Sequence, residues 1–263
     1  MTNVLDLFKL SGRTALVTGG AGLYGRQIVE ALAEAGAKTF MASRNLKAQE
    51  EQASRFRDAG LDVTALRLDQ SDEASIREVI AQIAEAAGKC DILVNNAVSR
   101  PMQPDTPPFE MFAKSMEVNA TGIYMMSEIF AQHMAQHGGG SIINVGSIYG
   151  LVGPDYTLYD FQAEPSPLGA PADYWFHKGG MVQLTRHTAA TYGNKDVRVN
   201  CIHPGGFFNE QPEEFVERYC KRTFLGRMAN MTDLKGVIVF LASDASGYIT
   251  GANIPVDAGF TAK

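Results

Sequence analysis

Short apolar runs of strand length alternate along this chain with amphipathic stretches of helical period, and that alternation leaves few architectures open. "RTALVTGG", from Arg13, reads as a buried strand running into glycine, and "GRQIVEALAEAG" as a helix stopped at Gly36. "KTFMASRN", "LDVTALRLD" and "DILVNNA" are further strands, separated by helices that end at Gly60 and Gly88. A long helical pattern from Phe109 to His137 then leads through "GGG" into the strand "SIINVGS". After an irregular, proline-bearing segment come the helix "YWFHKGGMVQLTRHTAATYG" and the strand "DVRVNCIHPGG". A short helical stretch from Glu213 to Lys221, a helix near "LKGVIVFLAS" and the strand "NIPVDAGF" close the chain. Strands joined through helices are parallel, with right-handed crossovers. The expectation is an α/β fold: one Rossmann-type, doubly wound parallel sheet of about seven strands flanked by helices, spanning residues 1–263, with an inserted substrate-side lid at about 151–173.

Bulk properties narrow the partners. A net charge of −6 argues against nucleic acid or an anionic membrane surface. No window is long and apolar enough for a membrane span, and the N-terminal "MTNVLDLFKLSGR" lacks the pattern of a secretory signal, so a cytoplasmic protein is expected. Cys90, Cys201 and Cys220 are scattered and read as reduced thiols. His133 and His137 share a helix face, but without a third ligand nearby no metal site is expected.

The turn after the first strand, "TGGAGLYG", carries GxGxxG over Gly20, Gly22 and Gly25, in the strand-turn-helix context that a pyrophosphate requires. Gly19, Leu23 and Tyr24 belong to the same cradle, where the amides of a helix N-terminus face the phosphates. At the end of the second strand, Ser43-Arg44-Asn45 stands where an NAD site usually has an acid. Ser43 can donate to a 2′-phosphate and Arg44 can pair with it, which favours NADP, with NAD as the alternative. Asp69, ending the third strand, is placed either to accept from the adenine amino group or to cap the next helix.

Tyr174 and Lys178 are four apart on a helix and share a face. They follow a strand ending in Ser147, with Asn95, Asn96 and Asn119 earlier in the chain. This set resembles the short-chain dehydrogenase/reductase superfamily, over nearly the whole chain from Thr18 to Phe260. The resemblance rests on the glycine loop, Asp69, Asn95-Asn96-Ala97, Val118-Asn119, Ser147, Tyr174-x-x-x-Lys178, Asn200-x-x-His203-Pro204-Gly205 and Val256-Asp257-x-Gly259. It implies a catalytic tetrad of Asn119, Ser147, Tyr174 and Lys178. It also implies cofactor contacts at Asn95, Ala97, Tyr174, Lys178, Pro204, Gly205, Phe207 and Asn209, and assembly as a homotetramer or homodimer. A phenol is a weak base at neutral pH, and a nearby ammonium and a positive nicotinamide ring both favour its phenolate. Tyr174 would then exchange the substrate proton while Ser147 stabilises the oxygen; a water held at Asn119 would link Lys178 to solvent.

Four departures bear on the substrate. The glycine spacing TGxxGxxG is that of the superfamily's extended branch, yet the chain ends at Lys263 without the larger C-terminal domain of that branch. Val98 replaces the glycine of NNAG and leads to Arg100, which is placed to meet an anionic substrate group. Asn209 stands in for a threonine after Pro-Gly. The interval from Ser147 to Tyr174 is longer than usual, and interleaves Tyr156, Tyr159 and Phe161 with Asp155, Asp160 and Glu164. Rings and carboxylates together suit a small, polar, polyhydroxylated ligand, with Tyr149, Tyr156 and His177 as further substrate contacts. The expected function is hydride transfer between nicotinamide and a secondary alcohol, ketone or hemiacetal of a sugar, sugar acid or polyol, most like the gluconate-dehydrogenase-like and glycan-modification members. Reduction of 3-ketoacyl thioesters and non-catalytic nucleotide sensing are the alternatives.

Overall fold

The computed structural model describes residues 3–103, 106, 108–159 and 172–263. Seven strands, β1 (Thr14–Thr18), β2 (Lys38–Ser43), β3 (Val63–Arg67), β4 (Ile92–Asn95), β5 (Gly140–Val145), β6 (Val197–Pro204) and β7 (Asn253–Val256), form one sheet in the order β3-β2-β1-β4-β5-β6-β7. Every pairing is parallel. The expected seven-stranded α/β architecture is therefore the observed one.

Alternate strand residues feed two cores, because successive side chains leave a strand on opposite faces. Ala15 and Val17 of β1 meet α1 (Leu23–Glu34), α2 (Leu46–Asp58) and α8 (Lys235–Ala242), through Ile28, Phe56 and Leu241 among others. Leu16, between them, turns with Phe40 and Leu93 to the opposite layer of α3 (Glu73–Ala87), α5 (Ile123–Gln136) and α6 (Ala172–Tyr192). Helix α7 (Glu213–Arg222) lies apart and packs on the turn at Tyr156–Leu158.

The long helix expected from Phe109 to His137 is not continuous. It begins as α4 (Pro108–Met116), widens into a π turn over Glu117–Gly122, and resumes as α5. A π turn disturbs the regular ladder, so its backbone needs outside support. Gln70 supplies it, donating from Nε2 to the Val118 carbonyl at 2.9 Å. Gly122 permits the approach, since a Cβ there would lie 2.6 Å from the Gln70 carbonyl oxygen.

At the sheet's opposite edge Asp91 is buried, and its Oδ2 accepts from the Thr14 amide at 2.9 Å while Lys89 Nζ stands 2.8 Å from Oδ1. Asp91→Ala strands that amide and should cost about 2–4 kcal/mol of folding stability. Urea denaturation should record the loss with cofactor affinity unchanged, because the cleft lies at the other end of the strands.

Candidate active site

All seven strands point the same way, so the loops that follow them gather on one edge, and the order reverses between β1 and β4. There the two loops are laced together. The Thr18 hydroxyl accepts from the amides of Asn96 (3.0 Å) and Ala97 (2.9 Å), and Asn96 Nδ2 donates to the carbonyls of Thr18 (2.9 Å) and Gly19 (3.1 Å). A cleft of about 750 Å³ opens above this seam.

The glycine loop forms one end of the cleft and fits a pyrophosphate. Gly19 adopts φ +66°, and a Cβ on Gly25 would sit 2.2 Å from the Gly19 carbonyl oxygen. Gly22 is the N-cap of α1 and offers no side-chain bond, so the first amides of that helix, at Leu23, Tyr24 and Gly25, have no capping acceptor. Gly19, Gly22, Leu23, Tyr24 and Gly25 all line the cleft. Gly20 does not; it packs on β2, where a Cβ would fall 2.6 Å from Met41 Cβ. The Tyr24 hydroxyl donates to the Gly205 carbonyl at 2.6 Å and its ring meets Phe207 edge-on, which joins the glycine loop to the loop after β6.

Ser43, Arg44 and Asp69 line the far end, and no carboxylate stands at the end of β2. Gln49 Nε2 donates to Ser43 Oγ at 3.0 Å. Asp69 accepts from both the amide and the hydroxyl of Ser71; burial is the largest single influence and raises its carboxyl, but these bonds together with Arg44 and Arg67 nearby outweigh it and hold the group below the usual range. The N-cap of α3 is Asp72, so Asp69 is left to the cleft. Asn45 is outside the cleft and caps α2, accepting from the Ala48 amide.

Ser147, Tyr174 and Lys178 line the same cleft, as do Pro204, Gly205 and Ala97. Lys178 is buried, donates to the Val145 carbonyl at 2.6 Å and lies 5.7 Å from the Tyr174 ring centroid. Burial pushes its ammonium below the ordinary lysine range. The Arg100 guanidinium covers the same tyrosine ring at 4.9 Å, and among the described residues it forms no ion pair. Burial raises the hydroxyls of Tyr149 and Tyr24, so both serve as neutral donors rather than bases.

Asn119 sits in the π turn and does not reach the cleft wall. Its Nδ2 donates to the Ser99 carbonyl (2.7 Å) and Ser115 Oγ (2.9 Å), and its Oδ1 accepts from the Ser99 amide (2.9 Å). Both amide protons are thus engaged within the protein. Asn95, the first of the asparagine pair, points into the sheet instead, donating to Asn144 and Ser127.

This geometry has counterparts among known proteins. A family model described as short chain dehydrogenase matches residues 13–159, and one described as Enoyl-(Acyl carrier protein) reductase matches residues 166–261. The chain belongs to the short-chain dehydrogenase/reductase family. Gluconate 5-dehydrogenase of Gluconobacter oxydans is 32% identical over 97% of both chains, and galactitol 2-dehydrogenase of Rhizobium johnstonii is 32% identical with the same coverage. A crystal structure of a gluconate 5-dehydrogenase from Burkholderia cenocepacia, in complex with NADP and tartrate, superimposes with a TM-score of 0.87 at 31% identity, covering 99% of this chain and 100% of that one.

The remaining wall of this short-chain dehydrogenase was not evident from its sequence. Gln211, Pro212, Phe215 and Tyr219, on and before α7, face the catalytic side of the cleft, together with Met228. The one available signal was the i, i+4 spacing of Phe215 and Tyr219, which marks a shared helix face without saying what it covers. Of the segment expected as a lid, Tyr159 lines the cleft, its ring tilted against Phe215 at 5.2 Å between centroids. Tyr156 is exposed and outside the cleft wall. Asp155 is not free for a ligand, because it caps its own turn and pairs with Arg222 at 2.9 Å. Asp160, Phe161 and Glu164 lie outside the described residues. Asn209 is exposed, its amide bonded to Gln211.

His177 lies behind the site rather than in it. It is buried edge-on against Tyr174, with both ring nitrogens unpartnered among the described residues. Burial, with the Lys178 and Arg100 charges, pushes its pKa down to about 3. The folded enzyme therefore carries neutral His177, and the unfolded chain alone takes up its proton below about pH 6.5. That contribution to stability is full above pH 6.5 and is lost as pH falls toward 3. Between pH 7 and pH 5 the parent should lose about 1–2 kcal/mol more stability than His177→Phe in urea denaturation.

Proposed function

We propose that this chain is an NADP(H)-linked oxidoreductase acting on a secondary alcohol or ketone of a small polyhydroxylated compound, with a sugar acid as the preferred class. The carrying observation is one cleft lined by Ser147, Tyr174 and Lys178 and by Arg100, whose guanidinium lies over the tyrosine ring and has no ion pair among the described residues. A carboxylate on the substrate would complete Arg100 by charge-assisted hydrogen bonds. The similarity to gluconate and galactitol dehydrogenases supports a polyol-like skeleton. Ser43 and Arg44, with no acid beside them, support a 2′-phosphate at the adenine end.

The nicotinamide, when bound, supplies the acceptor or donor of hydride. Tyr174 takes the proton of the substrate hydroxyl in the oxidative direction and returns it to the carbonyl oxygen in the reductive one. Ser147 donates to that oxygen and stabilises its developing charge. Lys178, anchored on the Val145 carbonyl, presents a fixed positive charge beneath the ring and lowers the cost of the phenolate. Asn119 supports the site by gripping Ser99, while its side chain has no proton left for a bridging water. In the same proposal residues 1–263 act as one catalytic unit with 151–173 as its lid. Assembly as a homotetramer or homodimer in the cytoplasm completes it, supported by the exposed aromatics Phe109 and Phe176.

Purified enzyme assayed with NADP⁺ and NAD⁺ against aldonates, neutral sugars and polyols should turn over an aldonate with NADP⁺. Tyr174→Phe should lower kcat by about 10²–10⁴-fold. Arg100→Ala should raise KM for the aldonate by roughly 10–100-fold while leaving KM for neutral polyols unchanged, as expected for loss of a charged hydrogen bond. Turnover of 3-ketoacyl thioesters alone would move the enzyme to that class, and parental kcat in Tyr174→Phe would refute the proton transfer. Arg44→Ala should raise KM for NADP(H) about tenfold or more, by the same charged-bond scale, with NAD(H) unaffected. An equal rise for both cofactors would remove the phosphate assignment.

A further inference from the structure

Tyr174 is held from two directions by one circuit of contacts. Asp173, the residue before it on α6, is buried, and its Oδ2 accepts from the Ser115 hydroxyl on α4. Ser115 Oγ accepts in turn from Asn119 Nδ2 at 2.9 Å. Asn119 grips Ser99 through both its amide and its carbonyl, at 2.9 and 2.7 Å. The next residue, Arg100, lays its guanidinium 4.9 Å over the Tyr174 ring. The path leaves Asp173 and returns to the residue beside it. Ser115, Asn119 and Asp173 are each no more than 2% exposed, so water does not compete for these bonds.

Ser115 is the joint of the circuit, because its single hydroxyl is both donor to Asp173 and acceptor from Asn119. A cation over the ring favours phenolate over phenol, and that preference weakens with distance. Whatever fixes the Ser99–Arg100 segment against α6 therefore governs how far Arg100 assists ionisation. The other groups facing the ring are Lys178 and His177 on its own helix, Asp173 before it, and the phenols of Tyr149 and Tyr24 across the cleft. Of these, only Asp173 touches the Ser115–Asn119–Ser99 link, through the Ser115 hydroxyl.

We infer that Ser115 and Asp173 are positioning residues that hold Arg100 and Tyr174 against each other, and so set how readily Tyr174 gives up its proton. The inference rests on the proton-transfer role proposed above, but its test does not need turnover. Ultraviolet difference titration of the full-length protein, with Tyr174→Phe as the blank, reads the Tyr174 phenol directly. Arg100→Ala should raise its midpoint by roughly 0.5–1 pH unit, and Ser115→Ala by at least about half as much. The Ser115→Ala/Arg100→Ala double variant should rise no further than Arg100→Ala, since both break the same link. Asp173→Asn keeps an oxygen for the Ser115 hydroxyl, so its shift and that of Arg100→Ala should simply add. An unmoved midpoint in Ser115→Ala, or additive shifts for Ser115→Ala and Arg100→Ala, would overturn the inference. Parental turnover by Tyr174→Phe would instead remove the catalytic role and leave the titration result standing.

Discussion

The bonds between Thr18 and the Asn96–Ala97 turn fix the rest of the site. A parallel sheet brings its loops to one edge but does not set their mutual height, since neighbouring loops are chemically independent once the ladder ends. Here the Thr18 hydroxyl takes two amides of the β4 loop, and Asn96 returns two bonds to the β1 loop. Four hydrogen bonds across a partly buried seam hold the glycine turn and the Arg100 loop in one frame. Each is worth about 1 kcal/mol, so they act as a register more than as a source of stability.

Several polar groups are buried behind the reacting end. Asn95, Asn119, Asn144, Asp173, His177 and Lys178 are all buried there. Burying such groups is costly unless each finds a partner, and most do, including Asn144 on Thr185 and Lys178 on Val145. His177 is the exception: it has no partner among the described residues and stays neutral. The arrangement makes geometric sense for proton chemistry, because dipoles already fixed in place need not reorganise when charge develops.

Legibility in the sequence followed the range of the interactions involved. Strands, helices and the glycine turn were readable because period and capping are local properties of the chain. The π turn was not, since Glu117–Gly122 continues the helical period and its support comes from Gln70, in the connection between β3 and α3. Asn45 and Asn95 sit in motif positions, yet a helix cap claims one and the sheet's interior claims the other. The α7 wall and the Asp155–Arg222 pair were invisible for a plainer reason, as partners dozens of residues apart leave no spacing to recognise.

The displaced glycine of "TGGAGLYG" shows how a motif can vary without altering its chain's architecture. Gly22 has φ −73° and ψ 175°, an extended conformation open to any residue, so its backbone does not demand glycine. Its Cβ would approach the Gly19 carbonyl oxygen only to 3.2 Å, a mild crowding, whereas one on Gly25 would approach the same atom to 2.2 Å. The turn thus depends sterically on Gly25, with Gly19 needed for its positive φ and Gly20 for packing on Met41. Position 23 is the first residue of α1, and its leucine is substantially exposed. A glycine there is dispensable for folding, and one at 22 clears the N-cap through which an anion would approach. The spacing therefore records a local choice at the helix cap, made within the same seven-stranded sheet.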